Sequence, residues 1–181
     1  MASLFSHGLV AVTLQHTYPK NISTRRLWMI LVICSILPDA DVVGFFWGIP
    51  YQDMWGHRGI THSLFFAFLL ALIVTFTLFR DVKFISLSNL LRISLIFLAT
   101  ASHGLLDAMT NGGYGIAFFA PFDNSRYFLP WTPIVVSPIG VKSFFSEWGV
   151  RVILSELLLI GVPCSVLLLF AQIRRKLTFS G

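Results

Sequence analysis

The sequence predicts an all-α fold, a polytopic membrane helical bundle of about five transmembrane or membrane-embedded helices with an ordered aromatic loop. Three observations predict it. Hydrophobic residues fill 56% of 181 positions and charged residues only 12%, whereas a soluble domain is about one-quarter charged. The apolar residues gather into five candidate helices punctuated by proline, glycine and short charged clusters. The 18 phenylalanines extend into the one long connection, which is too aromatic for a disordered linker. One integral membrane domain over residues 1–181 is the expectation, without internal repeats or low-complexity tracts.

The first candidate helix, 3–18, is closed by Pro19 and spans a bilayer only where that is thin or deformed. Its start lacks the basic flank and small-residue cleavage site of a secretory signal, so these residues are expected in the mature protein. The second, 27–38, rises about 18 Å, short of a hydrocarbon core of about 30 Å. Either it continues through Asp39 and Asp41 to Trp47 or it breaks at Pro38, and both options set carboxylates at or below the lipid surface. Residues 62–79 and 90–108 form the third and fourth helices. Residues 151–171 form the fifth, in which Pro163 is expected to introduce a kink. The connection 109–149 is expected to be an interfacial loop or lid.

Charge placement predicts orientation. In a five-crossing arrangement Lys20, Arg25, Arg26, Arg80, Lys83, Arg92, Arg174, Arg175 and Lys176 share one side, which the positive-inside rule places in the cytoplasm. The same arrangement brings His7, Asp39, Asp41, His57, His62, His103 and Asp107 to the outward ends of the helices. Basic residues lie beside apolar segments and form no aromatic-interleaved groove, so anionic lipids rather than nucleic acid are their expected partners. Cys34 and Cys164 sit alone in apolar runs and read as buried filler.

His103 and Asp107, in "SHGLLD", are four apart and share a helix face, a spacing suited to two ligands of one ion or a ligand and its orienter. Gly104 between them permits close approach of a neighbour. Asp39 and Asp41, in "PDADVVG", would repel one another in low dielectric unless a cation or histidines compensated them. His57 and His62, in "HRGITHS", lie about 140° apart on a continuous helix, so the helix is expected to begin between them with a cap near Thr61. Four imidazoles and three carboxylates are enough for two divalent ions, and donors without thiolate fit zinc, manganese or iron. Zinc is the first expectation.

Asp39, Asp41, His62 and Asp107 are the candidates for catalysis, any of the three aspartates holding or deprotonating the attacking water in place of ligation. Arg58 and Arg126 are candidate binders of a substrate's anionic group, Arg58 having a pairing with Asp53 as its alternative. Glu156 is a candidate for backing a metal-bound histidine, neutralising an arginine or sitting in a helix contact.

"SILPDAD", "HRGITHS", "SHGLLDAMTNGG" and "FFAPFDNSRYFLPW" together resemble the family of membrane-bound metal-dependent hydrolases that contains LexA-regulated inner-membrane proteins of bacteria. The resemblance covers roughly residues 3–139. It implies a multi-pass protein of the bacterial cytoplasmic membrane with a divalent-metal centre at His7, Asp39, Asp41, His57, His62, His103 and Asp107. Hydrolysis of a lipid or amphiphile ester, a phosphoester ahead of others, is the expected function. A divalent-metal transporter and a noncatalytic scaffold with a structural metal are the alternatives.

Overall fold

A computed structural model describes residues 1–20, 22–80, 83 and 85–177. Among them there is no sheet, only two isolated bridges, Thr110 with Ile134 and Ile116 with Tyr127. Helix α1 runs Leu4–Thr17, and α2 runs Arg25–Ile36 and continues as a 3-10 helix over Leu37–Trp47. Helix α3 is Leu64–Leu78 and α4 is Leu87–Ala108. A short α5, Val141–Phe144, precedes α6, Glu147–Glu156, which passes through a π turn at Leu157–Gly161 into α7, Val162–Leu177.

Three of these bodies are long and apolar enough to cross a membrane: Arg25–Trp47, Leu87–Ala108 and Glu147–Lys176. Helix α3 is apolar but, at 15 residues, shorter than a crossing, and α1 has 14. The chain is thus an all-α polytopic bundle with three clear spans and a shorter apolar helix.

The expected boundaries shift for local reasons. The second helix neither stops at Pro38 nor continues as α; it tightens to 3-10 winding, which accepts the proline near its first turn and carries Asp39 and Asp41 onward. The cap of α3 is Ser63, whose hydroxyl accepts from the Phe66 N–H, while Thr61 sits in a separate 3-10 turn, Ile60–His62. The fifth helix starts earlier than residue 151, because the Ser146 hydroxyl accepts from Trp148 N–H and caps a turn beginning at Glu147. Pro163, which lacks the N–H that would bond back one turn, follows directly on the π turn.

The bundle is layered along its axis. Leu27, Leu31, Cys34, Ala11, Ala71, Leu95, Ile96 and Ala99 form one apolar layer where α1 to α4 meet, with Thr13, Thr75 and Thr100 buried on the same helices. The alanines allow close helix approach. Beyond it, Arg26 and Arg92 stack on Phe79 at 5.2 and 4.4 Å, and Arg175 donates to the carbonyls of His16 and Tyr18. On the other side of the layer lie His7, Asp39, His62, His103 and Asp107, all buried. Along α4 the face that reads Ile96, Ala99 and then His103, Asp107 passes from apolar packing to the polar cluster within about 10 Å.

Candidate metal centre

Each side chain of the cluster is aimed by a local device. The 3-10 winding presents Asp39 and Asp41 from one segment. A loop from Tyr51 to Gly59 then returns to the bundle, and its Arg58 adopts φ 65°, a left-handed conformation uncommon outside glycine. The surroundings hold it there. Arg58 N–H donates to Asp41 Oδ2 at 3.1 Å, and its carbonyl accepts from Ala117 N–H. Its guanidinium donates to the Gly112 carbonyl and the Thr110 hydroxyl, with Nε 3.3 Å from Asp107 Oδ2. Gly113, at φ 91°, leaves the space; a Cβ there would stand 2.5 Å from the Arg58 Nη1. Gly104 does the same for His62, whose carbonyl would lie 2.9 Å from an added Cβ.

Asp41 is saturated. Its Oδ1 accepts from His57 Nδ1 at 2.6 Å, and its Oδ2 accepts from the Thr61 hydroxyl at 2.6 Å and lies 3.2 Å from His62 Nδ1. The Ser35 carbonyl, which can only accept, takes the proton on His103 Nδ1 at 2.7 Å. His103 Nε2 therefore faces inward as an acceptor, 3.1 Å from His62 Nε2 and 3.3 Å from Asp39 Oδ1. His62 Nε2 is also 3.6 Å from Asp39 and 3.8 Å from Asp107. Burial disfavours charge on His62, but the carboxylates of Asp39 and Asp41 outweigh it and push its pKa up to about 9. At His57 burial wins over the help from Asp41, and the pKa falls below the ordinary imidazole value.

Two groups of donors result. Asp39, His62, His103 and Asp107 each offer an atom within 4.8 Å of the others, and so do Asp41, His57 and His62. His62 belongs to both, through opposite edges of its ring. The first group fits a cation on independent grounds. Among the described residues nine buried side-chain atoms lack hydrogen-bond partners, and six of them are His7 Nδ1 and Nε2, both oxygens of Asp39, Arg58 Nε and Asp107 Oδ2. Buried carboxylate oxygens without hydrogen bonds are costly in low dielectric, and the three of Asp39 and Asp107 at one place mark where a positive ion belongs.

The other expected residues take distinct places. His7 stacks on His103 with ring centroids 3.7 Å apart and lies 3.5 Å from Asp107, at the edge of the cluster and outside both donor groups. Arg126 donates to the carbonyls of His57, Tyr51 and Asp53, tying the aromatic loop to the histidine loop. Glu156 accepts from the Ser3 N–H and the hydroxyls of Ser3 and Ser6, at the start of α1. Arg58 pairs with Asp107, whereas Asp53 accepts from Trp55 N–H. The sequence gives no sign of the Ser35 carbonyl or Thr110, because neither contact has a spacing; Thr61 is singled out there as a helix cap, not as a partner of Asp41.

Comparison with known proteins gives the chain's kinship and membrane setting. The family model for the YdjM inner membrane protein matches residues 1–178. The chain belongs to the YdjM inner membrane protein family. Among its relatives is the inner membrane protein YbcI of Escherichia coli (strain K12), 33% identical over 177 residues, covering 97% of this chain and 100% of that one. No solved structure matches. Kinship thus reaches the YdjM and YbcI inner-membrane proteins and their multi-pass membrane setting; neither name includes a metal-dependent hydrolase or LexA regulation.

Proposed function

We propose that the protein is a metal-dependent hydrolase of the cytoplasmic membrane that cleaves a lipid or amphiphile ester, a phosphoester ahead of a carboxylic ester. The observation that carries the reading is the set Asp39, His62, His103 and Asp107, with donors within 4.8 Å and three carboxylate oxygens lacking hydrogen bonds. These four residues would hold the ion, and His57 with Asp41 forms the second group, available to a second one. Zinc suits this nitrogen and oxygen set first, then manganese or iron. When bound, such an ion supplies Lewis acidity and activation of water at neutral pH.

The chain's own residues do the rest. Asp41 and Thr61 fix the His62 ring, Ser35 fixes His103, and Arg58 balances Asp107. Neither oxygen of Asp39 has a hydrogen bond, so the one that does not ligate is the group best placed to accept a proton from an attacking water. Arg58 is engaged by Asp107, Thr110 and Gly112, which favours a charge-balancing role over direct substrate binding. Glu156 acts through the start of α1. The apolar layer behind the cluster favours hydrolysis over transport, because a carrier needs a polar route onward.

Metal analysis of the purified protein beside His62→Ala and Asp107→Ala tests the centre, with phosphate release from dispersed dodecyl phosphate testing the chemistry. Substoichiometric metal in both variants and release only by the parent protein are expected. Full occupancy in folded variants would overturn the centre. Ion flux in proteoliposomes without product release would replace hydrolysis by transport.

A further inference from the structure

A cavity of about 380 Å³ opens beside the cluster, between the start of α1, the 3-10 segment and residues 137–145. Its walls include Phe5, Val42, Ile139, Phe144 and Phe145, and Asp39 is its single charged lining side chain. Asp39 is only 6% exposed, neither of its carboxylate oxygens has a hydrogen-bond partner, and its Oδ1 stands 3.3 Å from His103 Nε2. At the outer end Phe5 and Phe145 are 74% and 83% exposed. The cavity thus runs from an apolar surface of a membrane protein to a buried carboxylate of the candidate metal centre.

We infer that this cavity is the binding site for the hydrocarbon chain of a single-chain membrane amphiphile whose polar head lies against Asp39. Three features select that occupant. Apart from Ser3, Asp39 and Ser137 the lining side chains are apolar, which matches a tail and offers a second charged headgroup no partner. The polar lining side chains Ser3, Asp39 and Ser137 are all buried, away from the exposed mouth, so the molecule it fits changes from apolar to polar at one place. Its exposed aromatic mouth suits entry from lipid. The inference rests on the hydrolase reading for what happens at the head, but the chain site is a matter of binding and stands or falls separately.

The probe is dodecyl phosphate carrying a diazirine near the end of its chain, photolysed with the zinc-loaded protein in nanodiscs, so that the phosphate does not meet a bare Asp39 carboxylate, and mapped by mass spectrometry. Adducts concentrated on Phe5, Ile139, Phe144 and Phe145, and suppressed by excess dodecyl phosphate but not by methyl phosphate, are expected. Ile139→Trp fills the cavity from a position outside the cluster. It should cut labelling about tenfold, the scale on which a pocket discriminates carbon-sized changes in an apolar ligand, with metal content unchanged. Val42→Trp fills the same space from the other wall and gives the same result if Ile139→Trp does not fold. Adducts spread evenly over exposed residues such as Phe46, Trp47 and Phe170, indifferent to competitor, would overturn the inference even if phosphate is released from the probe. Localised adducts with no phosphate release from dodecyl phosphate would uphold the chain site and remove the hydrolase reading instead.

Discussion

At the scale of single residues the cluster is a problem in charge. Asp39, Asp41 and Asp107 bring three carboxylates into the bundle, and Arg58 is the fully buried guanidinium that opposes them. A proton on His62 supplies one further positive charge, held by the hydrogen-bonded edge at Nδ1 and shared at Nε2 with His103. A divalent ion that replaces this proton leaves the three carboxylates matched by the ion and Arg58. Because the pKa of His62 is raised to about 9, the proton is present at neutral pH and must leave before Nε2 can ligate. Metal affinity should therefore rise with pH, by roughly tenfold per unit, and level off above about 9. His57, pushed the other way by burial, is neutral across this window and adds nothing to the slope. Zinc titrations in buffers of different ionisation enthalpy should read about one proton released per ion at neutral pH. No proton release, or an affinity flat with pH, would show that His62 Nε2 is not a ligand.

At the scale of elements the site is made by a 3-10 segment, a returning loop and one helix face that approach more closely than ordinary helices do. Gly104 makes that approach possible, since a Cβ would meet the His62 carbonyl at 2.9 Å. Gly104→Val should push the Ile60–His62 turn off α4 and destabilise the fold by about 1–3 kcal/mol, the usual cost of overpacking, and lower metal occupancy with it. Thermal unfolding with metal analysis checks both, and a stable variant with full occupancy would refute the assigned contact. The four spaced motifs that made the site legible share this geometry. His103 and Asp107 could be placed together because helical periodicity fixes their relation, and the aspartate pair could be placed because Pro38 marks it. The winding after Pro38 was not legible, since α and 3-10 continuation share the same apolar pattern. Nor were Thr110 and Gly112, whose contacts with Arg58 depend on how the loop folds back, or the engagement of Arg126 by three carbonyls, which leaves no periodic trace. The start of α3 was misplaced by two residues because Thr61 and Ser63 are equally good caps, and Asp41 claims the Thr61 hydroxyl.

At the scale of the whole molecule the two ends of the bundle differ in charge. Arg26 and Arg92 meet at Phe79, and Arg175 reaches the end of α1, so the starts of α2 and α4 and the ends of α1, α3 and α7 share one end. The cluster lies beyond the apolar layer at the other end, where Arg126 ties the loop to His57. On the positive-inside rule we propose that the basic end lies in the cytoplasm and the candidate metal centre on the outward face. Ser125 is an exposed position beside Arg126, and exchanging its hydroxyl for a thiol keeps the backbone N–H that it donates to Asp123, although the hydroxyl also bonds that carboxylate. A Ser125→Cys variant with Cys34 and Cys164 left in place suits the test, because both native thiols are buried. In intact spheroplasts a membrane-impermeant maleimide should label the variant and not its parent, and lysis should add little. Labelling only after lysis would place the loop, and with it the cluster, on the cytoplasmic side, so that the substrate would have to come from the inner leaflet.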